Sequence, residues 1–250
     1  MTELRAIPIR GMPEIRSGDD LVEKVLTALR VWNLAFEAGD ILVLKHKIVS
    51  KAEGRVVPLA GITPSAEARR WASSNQLDPR VVQVAMSESR RIVRQKHGVL
   101  ITETRHGLIC ANSGVDVSNV DGGKSVVLLP EDPDRSAALL HRELRRKIGI
   151  PVPVIIADSF GRPWREGVCE VAIGVAGMKV FRDHRGKKDP YGYRLRVTQE
   201  AIADELACVA GLICDKLTGV PACIIRGFEY QLGRARARDL IRPAKADLFR

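Results

Sequence analysis

Apolar residues recur at helical spacing directly after Gly18-Asp19-Asp20, where Leu21, Val22, Val25, Leu26 and Leu29 form one stripe and predict a helix to about residue 32. Gly39-Asp40 turns the chain into Ile41-Leu42-Val43-Leu44, a buried strand. Thr63-Pro64 and Asp78-Pro79 each set a capping oxygen before a proline, predicting helices over 65–75 and 80–91. Extended runs follow at 99–102, 108–110 and 126–129. Asp132-Pro133-Asp134 predicts a helix through Lys147, and the apolar run 152–157 a strand covered on both faces. Residues 168–175 and 194–197 read as extended, separated by the charged, turn-rich loop 183–192. Thr198 is expected to cap a long helix with Ile202, Leu206, Val209 and Ile213 on one face, closed by Gly219 before a last strand at 222–225. Helices and strands mix without regular alternation, so the fold class is α/β or α+β with strands pairing out of sequence order. No repeat, low-complexity segment or linker interrupts the pattern.

Composition narrows the class. The 250 residues are 45% hydrophobic and 28% charged, which excludes a mainly disordered chain. No apolar run is long enough for a membrane span, and the opening residues lack the apolar stretch of a signal peptide, so a cytoplasmic protein with no membrane partner is expected. Forty Lys and Arg against thirty Asp and Glu leave a net charge of +10, which favours anionic partners. The tryptophans and tyrosines do not interleave with the basic clusters as base-stacking platforms would, which disfavours nucleic acid. The five cysteines form no C-x-x-C pair, and no two histidines sit at helical ligand spacing. A zinc site is therefore not expected, and the thiols read as reduced core residues.

Three segments carry candidate chemistry. Asp158 and Ser159 place a carboxylate and a hydroxyl at the end of a buried strand, donors suited to a hard divalent cation, although Asp158 could equally make a turn ahead of Gly161. The oxygen-rich turn 110–119 could aim Asp116 at the same metal and Asn119 at a phosphate or base, or be plain turn chemistry. Lys45-His46-Lys47 and Lys51 follow a strand and offer point charges for a triphosphate or acyl phosphate, or simply a solvated basic edge. Gly123-Lys124-Ser125 is not the end of a phosphate-binding loop, because Ser118 stands where the first glycine is needed and a strand-like run follows. Glu131-Asp132-Pro133-Asp134 is read as a helix cap.

In these same segments the chain resembles the coenzyme F420-0:L-glutamate ligase family. The resemblance runs through Gly18-Asp19-Asp20-Leu21, Gly39-Asp40, residues 48–55, 111–120, 129–134 and 158–165, Ala203-Asp204-Glu205 and Ile225-Arg226-Gly227, in order along nearly the whole chain. It implies one ligase domain over residues 1–250 without the reductase-like domain of bifunctional members. It also implies an unusual mixed-sheet fold of two intertwined subdomains, and a homodimer. The implied reaction is GTP-dependent addition of γ-linked L-glutamate to coenzyme F420-0 through an acyl phosphate, with Mn²⁺ or Mg²⁺ and, as a further candidate, a monovalent cation such as K⁺. Carried over by position, Asp116, Asp158 and Ser159 match metal ligands, and Lys51, Asp116 and Asp158 are the catalytic candidates. Met12, Pro13, Glu14, Ile15, His46, Lys47, Lys51 and Asn119 match GTP-contacting positions, as do Leu212, Ile213, Cys214, Asp215, Lys216, Leu217, Thr218 and Gly219. Ser159 replaces the family's usual threonine, His46-Lys47 replaces small hydroxyl residues of archaeal members, and Asp215 stands where glycine is common. A carboxylate at 215 would repel phosphate unless it points away or meets the metal. His184 or a metal-bound water could accept the glutamate ammonium proton, and neither is assigned as the base. The remaining alternative is another nucleotide- and metal-dependent carboxylate–amine ligase or phosphotransferase on the same scaffold.

Overall fold

The computed structural model describes residues 3–248. Its centre is a five-stranded sheet of β1 (Arg5–Pro8), β12 (Ala222–Arg226), β2 (Ile41–Lys45), β8 (Val154–Arg162) and β9 (Arg165–Ala176), in that spatial order. Only the β2–β8 pair is parallel; the other neighbours are antiparallel. Period-two alternation splits the apolar strands between two faces. Leu42, Leu44, Val154, Ile156 and Ile224 face α1 (Leu21–Val31) and α5 (Pro133–Ile148), whereas Ile41, Val43, Ile155, Cys223 and Ile225 face α6 (Ile202–Gly211). Each fully buried Leu or Ile contributes about 1.5–3 kcal/mol, so these continuous apolar runs are what hold the helices on both sides. The mixed α/β expectation holds, as does double-sided burial of the strand at 152–157.

A second group of elements covers one end of the sheet. It comprises α2 (His46–Ala52), β3 (Val56–Pro58) paired with β7 (Ser125–Val127), α3 (Ala66–Asn75), α4 (Pro79–Ser87), and the sheet of β4 (Ser89–Lys96), β5 (Val99–Thr104) and β6 (Ile109–Ala111). Its own cores are Leu59, Val84, Val126 and Leu128, and Ala68, Ala72, Val82 and Leu100.

Helix starts follow the capping chemistry with one shift. Asp20, Asp78 and Asp132 accept backbone N–H bonds at 3.0, 2.8 and 3.0 Å, so α1, α4 and α5 begin where predicted. α3 is capped by Ser65, which accepts from the Ala68 N–H at 3.2 Å, and not by Thr63. The helix predicted over 80–91 stops at Ser87, because His97 and Gly98, both at positive φ, turn residues 89–96 back onto β5 as a hairpin. Thr198 caps nothing: Gln199–Glu200 (β11) pairs with Arg182–Asp183 (β10), and α6 starts only at Ile202. α6 also ends at Gly211, so residues 212–219 form a loop where helix was expected. Residues 194–197 make no strand beyond an isolated bridge from Arg194 to Lys188.

Candidate active site

β2 and β8 run parallel and finish side by side, Lys45 opposite Ala157. β2 passes directly into α2, while β8 continues past it, so His46 and Asp158 emerge together where open α/β sheets place ligands. Asp158 therefore lies inside a long strand, paired with Val171, and not at a strand's end before a turn. α2 projects Lys47 and Lys51 from one face, four residues apart. Opposite them stands the loop after β6, in which Asn112, Ser113 and Gly114 all have positive φ. Ser113 is buried and anchors the loop: its hydroxyl donates to Ala85 O at 2.8 Å and its N–H donates to Thr102 Oγ1 at 2.9 Å. A two-way backbone bridge from Asp116 to Val127, at 3.0 and 2.9 Å, then fixes Asp116 on the cleft wall.

These elements enclose a cleft of about 820 Å³. It brings together Met12, Pro13, Glu14, Ile15, His46, Lys47, Lys51, Asp116, Asn119, Asp158, Ser159, Cys214, Asp215, Lys216, Leu217 and Gly219. Leu212, Ile213 and Thr218 are absent from its wall, Leu212 being 83% exposed just past α6. His184 lies outside it, 3.3 Å from Glu200, and is not placed to serve chemistry there. The wall also includes Lys45, one of the point charges read from the sequence, and Ser118, Gly122 and Gly123, to which the sequence reading gave no role. Gly123 thus meets the cleft although Gly123-Lys124-Ser125 is no phosphate-binding loop: β7 follows it, not a helix.

The lysines already hold anionic and carbonyl oxygens. Lys47 Nζ lies 2.8 Å from Asp116 Oδ2 and donates to Ser118 Oγ at 2.7 Å and Ser118 O at 2.9 Å. Lys51 Nζ donates to Glu14 Oε1 at 2.5 Å and Asn119 O at 3.0 Å. Lys47 and Lys51 are thus not a solvated edge; their side chains are only 18% and 11% exposed. Burial pushes the Asp116 carboxyl up, but Lys47 and the Ser118 N–H and hydroxyl outweigh it and leave it below the usual range. For Asp158 burial wins and raises the carboxyl; nearby Glu170 and Asp116 add to the rise, while His46 and the Ser159 N–H oppose it. Burial likewise lowers the His46 imidazole against the pull of Asp158, 3.3 Å from its Nε2. Asp215 lines the cleft, and its Oδ1 takes the Leu217 and Thr218 N–H groups at 2.6 and 3.0 Å, backbone donors that an anion would otherwise use.

A divalent cation suits this floor. Among the described residues no three His, Cys, Asp or Glu side chains converge at ligand spacing. Asp116, Asp158 and Ser159 nevertheless supply two carboxylates and a hydroxyl, the sparse oxygen set that Mg²⁺-type ions complete with substrate phosphates and water. Two buried polar atoms nearby, His46 Nε2 and Glu170 Oε2, have no hydrogen-bond partner among the described residues.

Comparison with known proteins agrees with the resemblance. A family model described as F420-0:Gamma-glutamyl ligase matches residues 10–227. The chain is 43% identical over 249 residues to the coenzyme F420:L-glutamate ligase of Methanothermobacter thermautotrophicus, covering 98% of both chains. It is 44% identical over 252 residues to the protein of that name from Methanopyrus kandleri, covering 99% of this chain and 98% of the relative. The protein of that name from Methanocaldococcus jannaschii is 41% identical over 251 residues, with the same coverage.

Proposed function

The chain belongs to the F420-0:gamma-glutamyl ligase family, and from that premise we propose that it ligates L-glutamate to coenzyme F420-0 at the expense of GTP. Residues 1–250 act as one ligase domain of two intertwined subdomains, and the active form is a homodimer, which analytical ultracentrifugation tests. The arrangement that supports nucleotide and metal use is the facing of Lys47 and Lys51 on α2 by Asp116 and Asp158 across one cleft. Cations and carboxylates so placed suit a metal–triphosphate better than either a free anion or a free cation.

The γ-phosphoryl of GTP passes to the terminal carboxylate of F420-0, giving GDP and an acyl phosphate; the amine of L-glutamate attacks the acyl carbon, and inorganic phosphate leaves as the amide forms. Two multiply charged anions must meet, so charge neutralisation is the chief demand on the protein. Lys47 and Lys51 meet it by exchanging partners: each gives up a carboxylate it holds in the free protein, Asp116 and Glu14 respectively, to take phosphate oxygens. Asp116, Asp158 and Ser159 would hold Mn²⁺ or Mg²⁺, which supplies Lewis-acid neutralisation of phosphate oxygens. Asp116, once released by Lys47, would be free to hold that cation. Asn119, whose Nδ2 donates to Lys216 O at 3.2 Å, ties the Asp116 loop to residues 212–219.

Release of inorganic phosphate from GTP, measured with Mn²⁺ or Mg²⁺ and K⁺ present, tests this function. It should require F420-0 and L-glutamate together. Phosphate release that ignores F420-0 but responds to another carboxylate would favour a different ligase or phosphotransferase on this scaffold.

A further inference from the structure

Glu170 on β9 is absent from the cleft wall, yet it holds two residues that form it. Its Oε1 accepts a hydrogen bond from the Ser159 hydroxyl at 2.6 Å and pairs with Lys45 Nζ, while its Oε2 is buried with no hydrogen-bond partner among the described residues. The side chain is 9% exposed and pinned between β9 and α6: a Cβ on Gly211 would stand 2.4 Å from Glu170 Cγ. A serine hydroxyl has one proton and two lone pairs. With that proton engaged in the bond to Glu170, Ser159 can offer the cleft only lone pairs, which suit a hard cation and cannot donate to a phosphate oxygen.

We propose that Glu170 is a positioning residue for the divalent cation: it makes Ser159 an acceptor-only oxygen and anchors Lys45 at the floor of the same cleft. This rests on the metal-dependent reading above and adds to it a group that the metal itself need not touch.

The test is an electron paramagnetic resonance titration of the full chain with Mn²⁺, without nucleotide and with a non-hydrolysable GTP analogue. Glu170→Gln preserves volume and should weaken Mn²⁺ binding about 10- to 100-fold, the usual cost of losing a group that orients a metal ligand, while metal-free nucleotide binding is retained. Ser159→Ala should lose a similar factor, and the double variant should be no worse than the weaker single, because both remove one device. Glu170→Asp, which keeps the charge beside Lys45 but withdraws it from Ser159, serves if the glutamine variant fails to fold. Wild-type Mn²⁺ affinity in either Glu170 variant, or single losses that multiply in the double, would overturn the role given to Glu170 alone. A wild-type chain that takes up no Mn²⁺ would overturn the metal reading and this role with it.

Discussion

Asp40 is completely buried, and its charge is met almost entirely by one residue 186 positions away. Arg226 grips it bidentately, Nε to Oδ1 and Nη2 to Oδ2, both at 2.8 Å; beyond that, among the described residues, Asp40 accepts only the Glu37 N–H, at 2.8 Å. Arg226 is less dependent on the pair, being 22% exposed and also bonded to Ala35 O and Glu37. The two partners should therefore not be equivalent. Arg226→Met leaves a buried carboxylate without its cation, a loss of about 3–5 kcal/mol, whereas Asp40→Asn leaves a cation that can still reach water and should cost about 1–3 kcal/mol. Adding Asp40→Asn to Arg226→Met should recover stability, since a neutral amide replaces the stranded charge. With a urea m-value near 3 kcal/mol/M, Arg226→Met should lower the denaturation midpoint by roughly 1–2 M. Urea titration of the two singles and the double by circular dichroism measures this. A loss below about 1 kcal/mol for Arg226→Met, or a double variant weaker than Arg226→Met alone, would refute the reasoning. Because the pair lies at the opposite end of β2 and β12 from Lys45 and Pro221, the folded Arg226→Met chain should keep its metal and nucleotide affinity.

Asp116→Asn and Asp158→Asn should each abolish most ligase activity in a folded chain, since each removes charge from the cation site at nearly constant volume; wild-type turnover at saturating metal would take that residue out of the site. Asp20→Ala should cost about 1 kcal/mol by removing the cap of α1 and a partner of Lys147. Lys147 foremost, then the Glu23 N–H, holds the Asp20 carboxyl below its ordinary range, so its contribution is complete above that range and fades as pH falls through the lowered value; the gap between wild type and variant should close in strong acid. In loop 183–192, Asp183 ties up Arg185 and leaves Lys187 and Lys188 with no ion pair among the described residues. Lys187→Ala with Lys188→Ala should shorten the glutamate tail without changing GTP use; an unchanged product ladder would make the loop a solvated basic turn.

The sequence made some parts of the molecule legible because local chemistry sufficed. Asp132-Pro133 at the head of α5 and the runs at 41–44 and 152–157 needed no distant partner to be read. Thr198 failed for the opposite reason: residues 199–200 were recruited into a ladder with Arg182 and Asp183, a tertiary pairing that overrides a good local cap. His97-Gly98 was a readable hairpin signal that helical periodicity through residue 91 obscured. In the site, Lys47, Lys51, Asp116 and Asp158 stood out as charges beside strand ends and turns. Glu170 did not, because only the β8–β9 hairpin brings it opposite Ser159, and nothing in Val168-Cys169-Glu170-Val171 separates it from any solvent-facing strand residue. The structural partnership of Asp40 and Arg226 explains two of the motifs shared with the family without giving either a part in catalysis.

The most direct test of the proposed activity is mass spectrometry of products formed from F420-0, L-glutamate, GTP and Mn²⁺. F420-0 should gain one or more glutamyl residues through γ-amide linkages, only with GTP present and with GDP and phosphate released for each bond made. Unmodified F420-0 after full incubation of a folded, Mn²⁺-loaded chain, or glutamylation that proceeds without nucleotide, would contradict it.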